Sequence, residues 1–255
     1  MSEPEATALR LPRAGDEHAR RWLESGSPAG PEPVPAASVC VLRDGPAGGV
    51  EVLWLTRGRR LRTWPGLLAF PGGAVEDTDR RRRPDDPAPP DRFTVLARTA
   101  ARECAEETGV APDPRTLRPF ARWVTPEHEP RRFDTTFLVT VVEAPDGPDD
   151  AAAPATPDEV HELGWASPPT LLEDVRDGAR AALPPTRAVL SALGSAATGP
   201  HPSGTVAATE VADRLVDAGT LVPVVPRAAW HDGPPGEDGR PDVALLLPRH
   251  AGALS

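Results

Sequence analysis

The chain has 255 residues, a formal net charge of −10 and 39% hydrophobic residues, enough for one large domain or one of about 150 residues with appendages. The negative balance argues against non-specific nucleic-acid binding, which depends on neutralising many phosphates. No apolar run approaches the roughly 18 to 20 residues that span a bilayer, and Met1 to Ala19 has no apolar signal core, so a cytoplasmic protein is expected.

Ile, Lys, Asn, Gln and Tyr are absent, while Pro (34) and Gly (22) are abundant. All five missing residues have AT-rich codons, so the bias reads as a GC-rich genome rather than as chemistry. One consequence is firm: every basic side chain in a site has to be Arg or His. Cys40 and Cys104 sit far apart in apolar patterns and read as two buried free thiols.

Residues 1–35 are rich in Pro, Ala, Glu and Arg and read as an N-terminal arm with one short helix, Asp16 to Glu24. Ala36 to Leu42 and Val50 to Thr56 are apolar strands separated by Asp44-Gly45-Pro46 and Gly48-Gly49, which predicts a hairpin. Leu67 to Phe70 is a short strand running into Pro71-Gly72-Gly73, and charged, Pro-rich Asp79 to Pro90 reads as a loop. From Phe93 to Thr108 the pattern is helical, with Phe93, Ala97, Ala100, Ala101 and Cys104 on one face and Gly109 as its stop. Leu117 to Val124 and Arg132 to Glu143 read as strands, and Pro145 to Pro157 as a linker. Helices are expected at Pro168 to Asp177, Pro185 to Leu193 and Ala207 to Asp217, with short strands at Leu221 to Val225 and Val243 to Leu247. Strands and helices do not alternate regularly, which predicts α+β. The expected division is an arm over 1–35, a main domain over 36–195 and an extension over 196–255.

The chemistry concentrates on the helix ending at Gly109. Glu103, Glu106 and Glu107 are spaced i, i+3, i+4, so three carboxylates share one side. Like charges so placed repel by a few tenths of a kcal/mol per pair. A hard divalent cation removes that cost and prefers oxygen ligands. Alone, such spacing is more often a solvated acidic face. Here it follows Arg102 directly, and upstream a strand delivers the chain into Gly72-Gly73, where backbone can approach a ligand closely.

These residues resemble the Nudix hydrolase signature: Gly, five residues, Glu, seven residues, Arg-Glu, an aliphatic residue, any residue, Glu-Glu, any residue, Gly, an aliphatic residue. Arg102 to Val110 matches the second half, with Cys104 as its aliphatic position. Gly73 to Asp79 aligns with the first half, with Asp79 where the pattern has Glu. The 22 residues between Asp79 and Arg102 replace seven, an insertion of 22 − 7 = 15.

The resemblance implies a mixed-sheet α/β/α sandwich with a loop-helix-loop metal site. It also implies Mg²⁺- or Mn²⁺-dependent hydrolysis of a nucleoside diphosphate linked to another group. On this resemblance Glu106 and Glu107 are the main metal ligands, Glu103 is a ligand or the base for the attacking water, and Arg102 orients the carboxylates. The Gly72 carbonyl is a further ligand, and Glu159 and Glu162 are weaker candidates from outside the motif.

Leu55-Thr56-Arg57, Leu61-Arg62 and Gly66 look like the motif that precedes the signature in coenzyme A diphosphatases, with Trp64 where His is usual. Ala121 to Pro126 and Pro130 to Thr135 resemble a long-insertion branch related to those enzymes. This makes coenzyme A, or an acyl derivative, the leading substrate and Arg57, Arg131 and Arg132 its expected binding residues. Nucleotide sugars, NADH-like dinucleotides and damaged nucleotides stay open, as does a catalytically silent nucleotide-binding module. The expected partner is a small nucleotide-type molecule, with no nucleic acid or membrane and a homodimer left open.

Overall fold

A computed structural model of the chain describes residues 8–10, 13–58, 65–143, 159–198, 206–230 and 243–247. In chain order the elements are β1 (Ala8–Arg10), α1 (Arg13–Glu24), β2 (Val34–Asp44), β3 (Val50–Arg57), β4 (Leu67–Ala69), β5 (Gly72–Ala74), α2 (Asp77–Arg80) and α3 (Arg92–Thr108). After one 3₁₀ turn follow β6 (Arg118–Val124), β7 (Phe133–Val141), β8 (Val160–Ala166), α4 (Pro168–Arg176), β9 (Ala181–Ala182) and α5 (Pro184–Ala197). The chain then forms α6 (Ala208–Ala218), β10 (Thr220–Val224), β11 (Arg227–Trp230) and β12 (Val243–Leu246).

Nine strands make one mixed sheet in the order β10-β6-β7-β2-β3-β4-β9, with β5 also paired to β2 and β8 to β3. Strand β2 changes partner along its length. Leu42–Asp44 pair with Val50–Val52 of β3, whereas Ala36–Ser38 pair with Gly72–Ala74 of β5. The other edge of β2 runs parallel to β7 from Val34↔Phe133 to Leu42↔Val141. Alternate β2 side chains therefore feed two cores. Ala37, Val39 and Val41 pack with Leu96, Ala97, Ala100 and Cys104 of α3, while Cys40 and Leu42 pack with residues of α4, α5 and α6. Helices cover both faces of the sheet, the α/β/α arrangement expected of an α+β chain.

The hairpin, the α3 register and the strands β6, β7, β10 and β12 agree with the sequence reading. Five strands went unread: β1, β5, β8, β9 and β11. Each is short and interrupted by small or polar residues, and pairing with a neighbour, not hydrophobic alternation, makes it a strand. The segment read as a loop from Asp79 begins inside α2. Phe93 is a correction: it is 43% exposed and does not join the apolar face of α3, which Val95 and Leu96 complete instead. The expected linker over 145–157 lies outside the described residues.

Past α5 the chain rejoins the same fold. Helix α6 lies on the main sheet, and β10 adds a parallel edge strand beside β6. Strand β12 pairs antiparallel with β1 on one side and β11 on the other in a separate three-stranded sheet. Among the described residues no helix is long and apolar enough to cross a membrane, and both cysteines are buried and free.

Candidate active site

Helix α3 is fixed at both ends by local chemistry. The Asp91 carboxylate accepts from the Thr94 amide at 2.7 Å, an N-cap that satisfies one of the helix's unpaired N–H groups. Gly109 closes the other end at φ 75°, and its N–H donates to the Ala105 carbonyl. That left-handed conformation costs other residues about 1–2 kcal/mol. The small face of α3 lies against β2, so the opposite row of charged side chains is held beside β5.

Arg102 is the hub of that row. Its Nη1 donates to Glu103 Oε1 at 3.1 Å and to Glu106 Oε2 at 3.0 Å. Its Nε and Nη2 donate to the two oxygens of Asp79 at 3.2 and 3.1 Å, and Nη2 also reaches the Ala74 carbonyl. Asp79 is 2% exposed. It also accepts from Thr99 Oγ1 at 2.9 Å and from the Glu76 N–H at 3.0 Å. Burial alone would raise the Asp79 pKa, but the hydrogen bonds from Arg102, the Glu76 amide and Thr99 together hold it below the ordinary carboxylate value. The residue that departs from the family pattern is thus the anchor of the conserved-type arginine, and its shorter side chain still forms the two-pronged contact.

Glu107 has a different environment. It is 8% exposed, and its Oε2 accepts from the Gly72 N–H at 3.0 Å. Burial pushes its pKa up to about 7 in the metal-free protein; the Gly72 N–H and the charge of Arg57 oppose this, and the charges of Glu103 and Glu159 add to it. Glu103 is raised as well, first by burial, with Arg102 pulling down and Glu106 pushing up. Gly73 has no room for a side chain, because a Cβ there would overlap the Glu103 carboxylate. At Gly72 a Cβ would collide with the β2 backbone at Ala37 and Ser38. Two adjacent glycines therefore let β5 press against β2 on one side and the glutamates on the other.

The structure thus brings together Gly72, Arg102, Glu103, Glu106 and Glu107, with Arg57 and Glu159 close enough to act electrostatically on Glu107. Gly72 enters through its amide, which donates to Glu107. Glu162 faces elsewhere, ion-paired at 3.1 Å with Arg180, which stacks over Trp54. Arg131 is exposed and lies over the Phe133 ring at 4.9 Å. Arg132 is 8% exposed and donates to the Thr125 and Pro31 carbonyls, both at 2.9 Å. Its expected role in substrate binding conflicts with this geometry: the guanidinium joins the segment ahead of β2 to the β6–β7 loop.

Sequence reasoning missed Thr99, Glu76 and the pair Arg98–Asp86. Arg98 is 5% exposed; it donates to the Arg81 carbonyl at 3.1 Å and is ion-paired with Asp86. Stretching the connection from seven to 22 residues adds about 1 kcal/mol of closure cost, and this clamp offsets it. The available signal was the spacing Arg98–Arg102, i and i+4, two cations on one helical row, with Asp85 and Asp86 in the preceding insertion as candidate partners.

A divalent cation is the group this donor set suits. Glu103 and Glu107 are partly to fully buried carboxylates whose negative charge is incompletely balanced, and their oxygens are hard donors. Among the described residues no three acidic, imidazole or thiol side chains converge into a finished cage. Glu106 instead turns to Arg102, so ligands beyond Glu103 and Glu107 have to come from Glu106 after rotation, from backbone, water or substrate.

Comparison with known proteins agrees with this geometry. A family model described as "NUDIX domain" matches residues 32–185, more than half of the chain. The chain is 27% identical to "Putative nudix hydrolase 7" of Caenorhabditis elegans, over 53% of this chain and 52% of that protein, so it spans about half the length of this curated relative. The crystal structure of a NUDIX hydrolase from Alicyclobacillus acidocaldarius superposes with a TM-score of 0.52 and 28% identity, covering 64% of this chain and 92% of that one.

Proposed function

The chain belongs to the Nudix family, and from that premise we propose that it is a divalent-metal-dependent pyrophosphohydrolase. Its substrate is a nucleoside diphosphate linked to another group, with coenzyme A or an acyl-coenzyme A the leading candidate. The observation that carries the reading is the Arg102 hub: one guanidinium tied to buried Asp79 and bridging Glu103 and Glu106, beside a buried Glu107.

When bound, Mg²⁺ or Mn²⁺ supplies a polarised water and charge neutralisation at the phosphate oxygens. Glu103 and Glu107 hold it, with Glu106 as a third ligand. Arg102 keeps the carboxylates apart and oriented by charge-assisted hydrogen bonds. If Glu103 is not itself a ligand, its carboxylate beside the hub would be the base for the attacking water. Arg57, on the edge of β3 with its charge felt at Glu107, binds the substrate diphosphate. The resemblance of Leu55-Thr56-Arg57 and Gly66 to the coenzyme A diphosphatase motif supports coenzyme A. Cleavage of its diphosphate gives 3′,5′-ADP and 4′-phosphopantetheine.

The test is incubation with Mg²⁺ and a panel of coenzyme A, ADP-ribose, NADH and nucleotide sugars, with products identified by mass spectrometry. Hydrolysis of at least one panel member, lost in Glu107→Gln, is expected. Tight nucleotide binding with no turnover would replace the enzyme by a silent binding module. Turnover unaffected by Glu107→Gln would overturn the site.

A further inference from the structure

The insertion between Asp79 and Arg102 carries four consecutive arginines, Arg80-Arg81-Arg82-Arg83, all exposed. Exposed arginines in an Arg-only chain are ordinarily just solvated. Three observations separate this run from that default. The first is position: Arg80 follows Asp79, whose carboxylate is bonded to the hub Arg102. Four residues of chain reach at most roughly 14 Å, so the backbone of the whole run lies within that distance of Asp79.

The second is order. The backbone of the run is held at three points: Arg98 Nη1 donates to the Arg81 carbonyl at 3.1 Å, the Arg83 amide donates to Asp86 Oδ2 at 2.7 Å, and the Asp86 amide donates to the Arg83 carbonyl at 3.1 Å. Asp86 is itself ion-paired with the buried Arg98. The guanidinia thus project from a fixed ridge.

The third is pairing. The chain has 38 acidic residues against 28 basic ones, and the neighbouring arginines are all matched: Arg98 with Asp86, Arg102 with Asp79, Glu103 and Glu106. Among the described residues, Arg80, Arg81 and Arg83 make no side-chain hydrogen bond or ion pair, and Arg82 reaches only a carbonyl. Beside a carboxylate cluster, the insertion displays cations that form no side-chain ion pair, with Arg83 felt electrostatically by Asp86.

We propose that the run Arg80–Arg83 is a phosphate-reading shelf that takes a second phosphate of the substrate, one carried outside the diphosphate that is cleaved. The proposal rests on the pyrophosphohydrolase reading and narrows its substrate class to nucleotides bearing an additional phosphomonoester, such as a phosphorylated ribose. The Arg98–Asp86 clamp is its positioning device, acting through the backbone of the run.

The full chain with Mg²⁺ is titrated calorimetrically with adenosine 3′,5′-bisphosphate and with AMP, and assayed in parallel on coenzyme A and its 3′-dephospho form. The native protein is expected to prefer the bisphosphate about tenfold or more, the contribution of one charge-assisted contact, and to show the same preference in KM. The variant Arg80→Ala/Arg81→Ala/Arg83→Ala loses that preference and leaves AMP binding and kcat on the dephospho form unchanged, while exposed Arg187→Ala changes nothing. Arg98→Met, which keeps all four guanidinia, also weakens the preference. Equal affinity for the two nucleotides in the native protein, or a preference surviving the triple variant, overturns the shelf even if both coenzyme A forms are hydrolysed. A preference that the triple variant abolishes, with neither form hydrolysed, upholds the shelf and defeats coenzyme A as the substrate.

Discussion

Replacing Asp79 by Ala tests the site's foundation, because this one carboxylate receives four hydrogen bonds. Its removal does not orphan every donor. Thr99 Oγ1 keeps the Val95 carbonyl at 3.0 Å, and Arg102 keeps Glu103 and Glu106. The loss is therefore the two-pronged Arg102 contact and the bond from the exposed Glu76 N–H, which water replaces, so the cost sits at the low end of that of breaking a buried ion pair, about 3 kcal/mol. For a domain of this size that lowers Tm by roughly 6–12 °C. Urea denaturation followed by circular dichroism should show a lower midpoint at constant m.

The pH dependence carries a sign. The folded pKa of Asp79 lies below its unfolded value, so its stabilisation is present above the unfolded pKa of about 3.9 and is lost as pH falls through the folded value. The gap between native and Asp79→Ala should close in acid. Arg102→Met leaves Asp79 buried without its cation, so the double variant should cost less than the two single ones summed. A loss below about 1 kcal/mol at neutral pH, or strict additivity, would refute the view that Asp79 anchors the hub.

Three further outcomes follow from the geometry. Glu107 is raised to about 7 in the metal-free fold, so the stability it contributes is complete below its unfolded pKa and is lost as pH rises through about 7; Glu107→Gln should flatten the fall in metal-free Tm between about pH 4.3 and 7 and abolish the Tm rise that Mg²⁺ gives, and a native Tm rising with pH over that range would contradict the burial argument. Gly73→Ala drives a methyl into the Glu103 carboxylate and should lower Mg²⁺ affinity and kcat together, measured by calorimetry and steady-state assay; native values for both would show that Glu103 moves freely. Arg132→Met removes two backbone contacts and should cost about 1–3 kcal/mol of stability with KM unchanged, so a raised KM at full stability would restore Arg132 to substrate binding.

The α3 half of the site was legible because helical spacing converts sequence into direction. Glu103, Glu106 and Glu107 had to share a side, Gly109 had to end the helix, and Arg102 had to flank the acids. Nothing local linked Asp79 to Arg102 across 22 residues, and nothing local distinguished Arg132 from Arg131. The first depends on a loop folding back onto α3, the second on a strand edge that buries one side chain and exposes its neighbour. Glu159 and Glu162 were equivalent in sequence. Pairing of β8 with β3, with an irregularity at Thr56/Arg57, leaves Glu159 facing Glu107 and Glu162 facing Arg180.

By itself the sequence determined the class of elements, the acidic helical row, the glycine pair and the character of the chemistry, because residue type and short-range spacing act within a few turns of chain. The tertiary structure decided which acid anchors Arg102, that Glu106 turns to the hub while Glu107 is buried against Gly72, and that the insertion is clamped as an arginine ridge. Those outcomes depend on burial and on contacts between distant segments, and both exist only once β2 has divided its partners between β3 and β5 and α3 has packed across it.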